Sequence, residues 1–533
     1  MMGNKQLDLL LVNAGNRKRT YQSLGAALAA IEPPIWAGLM ATFMGKRGYA
    51  VEILDAAADD LPAEETVRRI AGMRPLLTAV VVYGHNPSAS TQVMPSAGEI
   101  CKAVKREAPD LKVLLIGGHV AALPERTLRE EEADFVCGDE GLFTLLDLVE
   151  ALRRDRQAEY SKVRGLWYRE GKQLKSNPPG PLVKDLDHDM PGMAWDLLPM
   201  RKYRAHNWHC FGTLARQPYA ALYTTLGCPY HCTFCCIQAP FKQGEKALGY
   251  KETVNSYRFW SPQSVIAQID TLVNKYGVRN IKIADEMFVL NPRHVLRICD
   301  LIIERGYDLN IWAYARVDTV KDTMVEKLKR AGFNWLAFGI EAANEQVRDD
   351  VRKGFAQDEI FQTLDKVRAA GINIGANYIF GLPEDNLETM RATLDLALEI
   401  NSEYANFYCT MAYPGSQLYN LALRKGWPLP EQWSGYSQHA VDTLPLPTKY
   451  LSAAEVLRFR DHAFQVYFSS RKYLDMITRK FGPETAQHIR DMASHDLIRK
   501  YSLKEGTMPR DISLREAGPT SPDHVENPPR GEL

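Results

Sequence analysis

The stretch ALYTTLGCPYHCTFC, residues 221–235, joins a short apolar segment to three closely spaced cysteines. The segment Ala221–Leu226 has the composition of a buried β-strand, and Gly227 ends it. Cys228, Cys232 and Cys235 then follow with three and two residues between them, a spacing that lets three thiolates surround one face of an iron–sulfur cluster. Ferredoxins normally supply four cysteines to a [4Fe–4S] cluster, so three ligands leave one iron open to a small molecule.

Two other interpretations of these cysteines are less favoured. Zinc is the competing metal, but no second CxxC or HxxxH pair lies nearby. Three buried free thiols are improbable at this density, and nine cysteines in 533 residues are too few for a disulfide scaffold. Cys236 directly follows the third cysteine and is interpreted as a packing residue, so the predicted ligands are Cys228, Cys232 and Cys235.

The region around this stretch alternates between predicted strands and amphipathic helices. Six βα units in a row predict a partial or complete barrel of parallel strands, with catalytic groups at the carboxyl ends of the strands. The six predicted strands are Ala221–Leu226, Ile281–Phe288, Asn310–Arg316, Trp335–Ala342, Ile374–Phe380 and Ala405–Ala412.

The first 150 residues show a second βα pattern. Continuous apolar runs such as Leu77–Tyr83 and Leu111–Ile116 alternate with amphipathic helices, which predicts a doubly wound domain with a parallel sheet. Such domains bind ligands where their strands end. The candidate ligand loops are Asn13–Gly15, Gly84–Thr91, Gly117–Pro124 and Gly138–Gly141.

The rest of the chain is assigned by composition. Residues 151–213 are predicted to be a proline-rich linker with a short hairpin, and residues 214–430 form the barrel core. Residues 431–504 are predicted to be helical, because Ser452 and Glu455 form a capping-box pattern. Residues 505–533 contain many prolines and few large apolar side chains, which predicts a disordered tail.

Composition excludes several classes of protein. The 65 basic and 65 acidic residues cancel, so nothing favours nucleic acid or a membrane surface as a partner. No apolar run approaches the roughly 20 residues of a membrane span, and no secretory signal is recognisable. These features exclude a secreted, membrane-spanning, collagenous or wholly disordered protein, and a cytoplasmic location is expected.

The cysteine motif resembles that of the radical S-adenosylmethionine (SAM) superfamily. Its signature is C-x-x-x-C-x-x-C with an aromatic residue before the third cysteine, matched here by Cys228, Cys232, Phe234 and Cys235. The resemblance implies a [4Fe–4S] cluster whose open iron is chelated by SAM. An electron from the reduced cluster then cleaves SAM to a 5′-deoxyadenosyl radical, which abstracts hydrogen from the substrate.

The resemblance also implies further SAM-binding positions at later strand ends. Asp285 and Glu286 stand where the family often has Gly-Gly-Glu, which receives the SAM amino group, although the glycines are missing here. Arg316 is a candidate partner of the SAM carboxylate, with a salt bridge to Asp318 or Glu286 as the alternative. Glu341 matches the family's polar residue at the fourth strand. Asn377 and Tyr413 are further candidates, or structural hydrogen bonders.

The domain order resembles the cobalamin-binding subclass of that superfamily. Residues 33–39, 48–55, 116–119 and 138–141 all look like that subclass, and Gly117 and Gly118 would let the nucleotide tail of cobalamin approach the backbone. The D-x-H-x-x-G motif that supplies an axial histidine elsewhere is absent. His85 and His119 are either corrin neighbours or satisfied loop histidines, and a vestigial domain without corrin is the second interpretation.

Together these features predict a cobalamin-dependent radical SAM enzyme, most simply a C-methyltransferase acting on an unactivated carbon. The alternatives are a radical SAM cyclase, oxidase or rearrangement enzyme and, from another class, a cobalamin or redox sensor. The expected partners are a small-molecule substrate and an electron donor such as a flavodoxin or ferredoxin. Residues expected to shape the substrate site are Trp433, Tyr436 and His439, and His206, Trp208, His209 and Cys210 either line a pocket or plug the barrel.

Overall fold

The structure is a computed structural model, and it describes residues 6–15, 20, 22, 29–84, 86–154, 159–212 and 215–501. His85 and the tail predicted over residues 505–533 lie outside the described residues. Within the described part of the chain, no helix has both the length and the apolar character needed to cross a membrane.

The N-terminal sheet has seven strands in the order β2-β1-β3-β4-β5-β6-β7. Strands β1 to β5 pair in parallel, and helices connect them, as the alternating pattern predicts. Every residue of β3 is buried because the sheet is covered on both faces. The strands are β1 (Leu9–Asn13), β2 (Val51–Asp55), β3 (Leu77–Val82), β4 (Val113–Gly117), β5 (Phe135–Cys137), β6 (Leu166–Glu170) and β7 (Gln173–Ser176).

Seven helices accompany this sheet in the described residues. They are α1 (Ile35–Gly45), α2 (Ala56–Asp59), α3 (Ala63–Met73), α4 (Ala89–Glu107), α5 (Gly118–Ala122), α6 (Pro124–Glu130) and α7 (Leu142–Arg154).

The hairpin predicted in the linker completes this sheet. Strands β6 and β7 pair antiparallel with each other, and β6 pairs antiparallel with β5, so the hairpin forms the edge of the N-terminal sheet. The sequence identifies the hairpin but not its partner, because an edge pairing joins residues about 30 positions apart. The domain boundaries at residues 150, 213, 430 and 504 stay predictions.

The second sheet contains six parallel strands in the order β15-β14-β13-β12-β11-β8. This is the predicted row of βα units, arranged as a partial barrel. Its strands are β8 (Tyr219–Leu222), β11 (Asn280–Ile283), β12 (Asn310–Ala315), β13 (Phe333–Glu341), β14 (Asn373–Phe380) and β15 (Tyr404–Cys409). Two short strands, β9 (Thr225–Leu226) and β10 (Arg258–Phe259), pair antiparallel beside it.

Three of the predicted barrel strands end more than one residue earlier than expected. The strand predicted over Ala221–Leu226 divides into β8 and β9, the one predicted over Ile281–Phe288 ends at Ile283, and the one predicted over Ala405–Ala412 ends at Cys409. Between β8 and β9, the carboxylate of Asp285 accepts hydrogen bonds from the backbone N–H groups of Thr224 and Thr225, so these groups do not pair within the parallel barrel sheet. Thr225 pairs instead with Phe259 of β10.

Helices surround the barrel and continue past it. Ser452 caps the first helix of the C-terminal region, and its backbone N–H donates to Glu455, which confirms the predicted capping box. The helices are α8 (Leu186–Asp189), α9 (Lys242–Ala247), α10 (Pro262–Tyr276), α11 (Pro292–Arg305), α12 (Asp322–Arg330), α13 (Glu345–Asp350), α14 (Gln357–Ala369), α15 (Leu387–Ile400), α16 (Gln417–Lys425), α17 (Ala453–Ser469), α18 (Arg471–Phe481) and α19 (Pro483–Ala493).

The segment at residues 206–210 closes the amino end of the barrel. His209 is fully buried, and its Nε2 lies 3.0 Å from the carbonyl oxygen of Asn310, the first residue of β12. The centre of the Trp208 ring lies 5.0 Å from that of Trp312 and 5.2 Å from that of Trp335. These residues therefore plug the end of the barrel opposite to the cysteines, and the substrate-pocket alternative is not supported.

Candidate active site at the facing strand ends

The two sheets direct the carboxyl ends of their strands at one shared cavity, here called the interdomain cavity. The space between its walls is about 580 Å³, counting the part open to solvent. From the N-terminal domain it is lined by Trp36, Tyr83, Gly84, Asn86, Pro87, Ser90, Thr91, Gly118 and His119. From the barrel side it is lined by Tyr223, Thr225, Leu226, Gly227, Cys236, Ile237, Pro240, Phe241, Glu286 and Pro414.

The cysteine loop leaves β9 directly beside this cavity. Asn255 holds the loop by donating from its side-chain amide to the carbonyl oxygens of Cys228 and Tyr230, at 2.9 and 2.7 Å. Gly227 must be glycine, because a Cβ atom there would lie 2.2 Å from the carbonyl oxygen of Ser256. The loop is therefore shaped by its own side contacts, while the thiols of Cys228, Cys232 and Cys235 are free of disulfides.

Two of the three thiols lie in surroundings that disfavour the thiolate. Burial raises the pKa of Cys228 to about 12, with the neighbouring thiol of Cys232 adding to the effect. Burial also raises the pKa of Cys235, again with a contribution from Cys228. Thiols in such surroundings become thiolates only when a metal compensates their charge.

Asp285 and Glu286 have different surroundings. Asp285 is completely buried, and its carboxylate accepts hydrogen bonds from the backbone N–H groups of Thr224 and Thr225, at 2.6 and 3.1 Å. The Thr224 hydroxyl donates to its second oxygen. Asp285 thus holds the start of the cysteine strand in place, and its lone pairs are engaged there.

Glu286, in contrast, lines the interdomain cavity. Burial raises the pKa of its carboxyl to about 7, with the charge of Lys282 opposing and that of Asp285 adding to the effect. A carboxyl group of this pKa changes its charge near neutral pH. Of the predicted pair, the geometry leaves Glu286 as the side chain available to a ligand.

Arg316 lies beyond the end of β12 and is almost fully buried. Its Nε and Nη2 donate to Asp318 at 2.9 and 3.1 Å, so the salt bridge considered as the alternative is present. Its guanidinium also stacks over the ring of Tyr230 in the cysteine loop, at 4.2 Å. The remaining Nη1 is buried without a hydrogen-bond partner. An unpaired buried donor is costly, which indicates room for a ligand acceptor at this atom.

Glu341 ends β13 with a left-handed backbone, φ +65°, which a non-glycine residue rarely adopts. Its carboxylate accepts a hydrogen bond from Lys353 Nζ at 2.6 Å. Lys353 lies in the loop after α13 and was not predicted, because a lysine in a loop carries no signal of burial. The only pattern that could have drawn attention to it is the Lys353-Gly354 pair that follows the helix.

The other predicted barrel residues have packing partners. Phe234 contacts the apolar groups around Leu382 and Tyr413, where β14 and β15 end. Asn377 donates to the carbonyl of Phe338 and accepts from Asn406, so it bridges neighbouring strands. Tyr413 donates to the carbonyl of Tyr436 at 3.3 Å. Cys236 packs in the same apolar cluster and also forms part of the cavity wall.

The two predicted glycines of the N-terminal domain play different parts. A Cβ atom at Gly117 would lie 2.1 Å from the carbonyl oxygen of Val82, so β3 itself requires this glycine. At Gly118 the nearest atom would be Ser90 Oγ at 3.4 Å, an ordinary contact, and the residue lines the cavity. The geometry therefore supports Gly118 rather than Gly117 as the position that a ligand approaches.

His119 follows Gly118 at the same strand end. Its Nδ1 lies 3.2 Å from Thr91 Oγ1, whereas its Nε2 is buried without a hydrogen-bond partner. Burial lowers the pKa of the imidazole to about 3, with Arg126 adding to the effect, so the ring is neutral. The prediction of a satisfied loop histidine holds for one ring nitrogen only.

One predicted ligand loop and the predicted substrate-site residue Trp433 serve to join the domains. Glu140, in the loop Gly138–Gly141, accepts a hydrogen bond from Arg258 at 2.8 Å and another from the backbone of Val183. Trp433 packs edge-on against His119 at 4.4 Å, and Arg126 stacks on it at 4.3 Å. These contacts hold the N-terminal domain against the barrel and the C-terminal region.

Comparison with known proteins agrees with this arrangement. The Radical SAM superfamily matches residues 222–397, and the B12 binding domain matches residues 21–149. An uncharacterised methyltransferase of Pyrococcus horikoshii is 26% identical over 456 residues, which are 85% of this chain and 92% of the relative. The anaerobic magnesium-protoporphyrin IX monomethyl ester cyclase of Cereibacter sphaeroides is 26% identical over 409 residues, 75% of this chain and 62% of the relative.

A solved structure shares the whole architecture. The radical SAM methyltransferase TsrM from Kitasatospora setae, solved with cobalamin and a [4Fe–4S] cluster, superposes with a TM-score of 0.62 at 14% identity, over 92% of this chain and 100% of that chain. Fold, site and matches define a radical SAM protein with an N-terminal B12-binding domain. The chain thus joins a radical SAM domain to a B12-binding domain, and these two domains imply SAM, a [4Fe–4S] cluster and cobalamin as its cofactors.

Proposed function

We propose that the protein is a methyltransferase that modifies an unactivated carbon of a small molecule. The observation that carries this proposal is the shared cavity, because it is lined both by strand ends of the B12-binding domain and by Gly227 and Cys236, the residues on either side of the three-cysteine loop. When bound, the cluster and SAM supply hydrogen-abstracting radical chemistry and cobalamin supplies the methyl group. A substrate in this cavity would lie between the residues proposed to hold the two cofactors, whereas a sensor has no use for a site that joins them.

The geometry supports the following roles for the residues of the cysteine loop and for Asp285. Cys228, Cys232 and Cys235 hold the cluster, and Phe234 packs the loop against the ends of β14 and β15. Asp285 keeps the start of this loop in register.

Three further residues are proposed to hold SAM. Glu286 accepts from the amino group of SAM, Arg316 Nη1 donates to its carboxylate, and Glu341 contacts its ribose or methionine end. The first two roles are supported by the position of Glu286 in the cavity wall and by the unpaired Nη1 of Arg316, whose guanidinium stacks on Tyr230 of the cysteine loop.

The cavity walls are suited to excluding water. The rings of Trp36 and Tyr83 stack at 4.3 Å, and Phe241 packs 6.0 Å from Trp36 across the domain boundary. In the same N-terminal wall Gly118 would leave room for the nucleotide tail of cobalamin, and His119 presents a neutral ring beside it. A mostly apolar enclosure protects a reactive carbon centre from side reactions with solvent.

Transfer of a labelled methyl group tests the function directly. The reduced holoenzyme is incubated without oxygen with methyl-labelled SAM, cobalamin and candidate substrates, and all small molecules are analysed by mass spectrometry. We expect one product to gain the label together with formation of 5′-deoxyadenosine. If 5′-deoxyadenosine forms while no product gains label, the methyltransferase proposal fails.

That second outcome would favour a radical cyclase or oxidase. This alternative is supported by the Cereibacter sphaeroides relative, which is described as a cyclase. The discriminating measurement is the mass of the product, because ring closure or oxidation removes hydrogen whereas methylation adds a CH₂ unit.

The Glu286 proposal has a consequence for pH. With a pKa of about 7 the carboxyl is mostly ionised at pH 8 and mostly protonated at pH 6. Loss of one charge-assisted hydrogen bond in Glu286→Gln should weaken SAM binding by roughly one to two decades at pH 8. At pH 6 most of the parent carboxyl is neutral like the amide, so the ratio of the two dissociation constants should be several-fold smaller than at pH 8.

The measurement is anaerobic equilibrium binding of SAM to the cluster-loaded parent and variant at both pH values. Protonation of SAM itself changes with pH, but it affects the dissociation constants of parent and variant equally and cancels in their ratio. A ratio that does not change with pH would remove Glu286 from the SAM site.

We further propose a cytoplasmic location and an electron donor of the flavodoxin or ferredoxin class. Nine cysteines without any disulfide among the described residues are typical of a reducing compartment. We propose that the electron donor docks near Cys232, because the loop around this cysteine lies at the surface beside Arg352.

A further inference from the structure

Lys353 is a buried lysine whose ammonium faces the cysteine loop. Only 11% of its side chain is exposed, and its Nζ lies 2.6 Å from the Glu341 carboxylate. A buried cation persists only with compensating charge nearby. One carboxylate is in direct contact, and the thiol of Cys232 also acts on the ammonium electrostatically.

The loop that carries Lys353 is attached to the cysteine loop. The backbone N–H of Thr233 donates to the carbonyl of Val351 at 3.1 Å, and the Cys232 thiol approaches the carbonyl of Arg352 at 3.8 Å. On its other side, Arg316 Nη2 donates to the carbonyl of Gly354 at 3.4 Å. The position of Lys353 is thus set by the same elements that set the proposed cluster ligands.

The surrounding backbone accommodates this ion pair at a cost. Glu341 and Arg352, the residue before Lys353, both have left-handed backbones, with φ values of +65° and +57°. A Cβ atom at Gly339 would lie 2.4 Å from Glu341 Oε1 and 2.6 Å from Lys353 Nζ, so only glycine leaves room for the pair. The left-handed backbones at Glu341 and next to Lys353, together with the close approach at Gly339, indicate a pair kept for more than stability.

We propose that Lys353 is the counter-cation of the iron–sulfur site, which makes reduction of the cluster easier, and that it also positions Glu341. This inference rests on the proposed function, since it assumes a cluster on Cys228, Cys232 and Cys235. An added electron makes the cluster more negative, and a fixed positive charge in a buried site lowers the free energy of that state. Burial raises the pKa values of the Cys228 thiol and the Glu286 carboxyl, and the positive charge of Lys353 opposes this rise in both.

The test is a potentiometric titration of the cluster, followed by electron paramagnetic resonance, without SAM, cobalamin or substrate. In Lys353→Met we expect the ratio of reduced to oxidised cluster at a fixed potential to fall by about tenfold, which equals a 59 mV lower potential for one electron. Lys353→Arg keeps the charge and should restore the ratio. Lys480→Met, which breaks a lysine–glutamate pair at the amino end of β15, is the matched control and should leave the ratio unchanged.

Glu341→Gln distinguishes a charge effect from a structural one. Removing this carboxylate leaves the cation uncompensated, so the potential should shift in the opposite direction to Lys353→Met. Shifts of the same sign, or no shift in either variant, would overturn the proposal. If Lys353→Met fails to fold, Glu341→Gln alone tests whether the nearby charges set the potential of the cluster. An unchanged potential in Glu341→Gln contradicts the charge effect.

The titration is independent of methyl transfer. A normal charge response with no labelled product would therefore leave the role of Lys353 intact and overturn the proposed function. Labelled product with an unaltered potential would do the reverse.

Discussion

A variant with Cys228, Cys232 and Cys235 all changed to alanine is expected to fold but to bind no iron and to form no 5′-deoxyadenosine. The three side chains lie in a loop that other contacts hold, namely Asn255 on its carbonyls and Gln238 on the backbone N–H of Cys228. Removing the thiols therefore removes the proposed ligands without removing the loop. Iron and sulfide analysis after anaerobic reconstitution, together with circular dichroism, checks both parts of this expectation.

The control for this variant is the adjacent cysteine. Cys236 packs among apolar side chains such as Met411 and Leu418, and its change to alanine should cost some stability while the iron content stays at that of the parent. Iron retained in the triple variant would refute the cluster assignment. Iron lost in Cys236→Ala would mean that the ligand set is different.

Gly118→Leu is expected to abolish cobalamin uptake while the cluster still assembles. The Cβ atom at this position meets only Ser90 Oγ at 3.4 Å, so the fold tolerates it, but the added side chain occupies space in the interdomain cavity. The measurement is the absorption spectrum of the protein after incubation with cobalamin and removal of free corrin. Iron content measured in parallel shows whether the barrel has been affected.

Gly45→Leu is a suitable control, because Gly45 is exposed on the same domain and nothing lies within 4 Å of its Cβ position. Gly117 is unsuitable as a test of binding. A side chain there collides with the carbonyl of Val82, so loss of cobalamin would only report a damaged sheet. Normal cobalamin uptake by Gly118→Leu would place the corrin elsewhere or leave the domain vestigial.

Local patterns were sufficient to predict the architecture. Buried strands appear as apolar runs and their helices as amphipathic segments, so both βα domains could be recognised from the sequence. The spacing of Cys228, Cys232 and Cys235 is also a local property, as is the capping box at Ser452. Each of these signals depends on residues at most a few positions apart.

The sequence by itself thus determined the class of fold, the candidate cluster ligands and the two strand ends that carry Glu286 and Gly118. Only the tertiary structure decided between Asp285 and Glu286, because the decisive contact joins Asp285 to Thr224, 61 positions away. The same holds for Gly117, whose neighbour Val82 lies on another strand, and for Lys353, which meets both Glu341 and the cysteine loop. The burial and the charge around each of these residues come from segments that are distant in sequence and meet only in the folded chain. The spacing of residues along the sequence therefore does not reveal them.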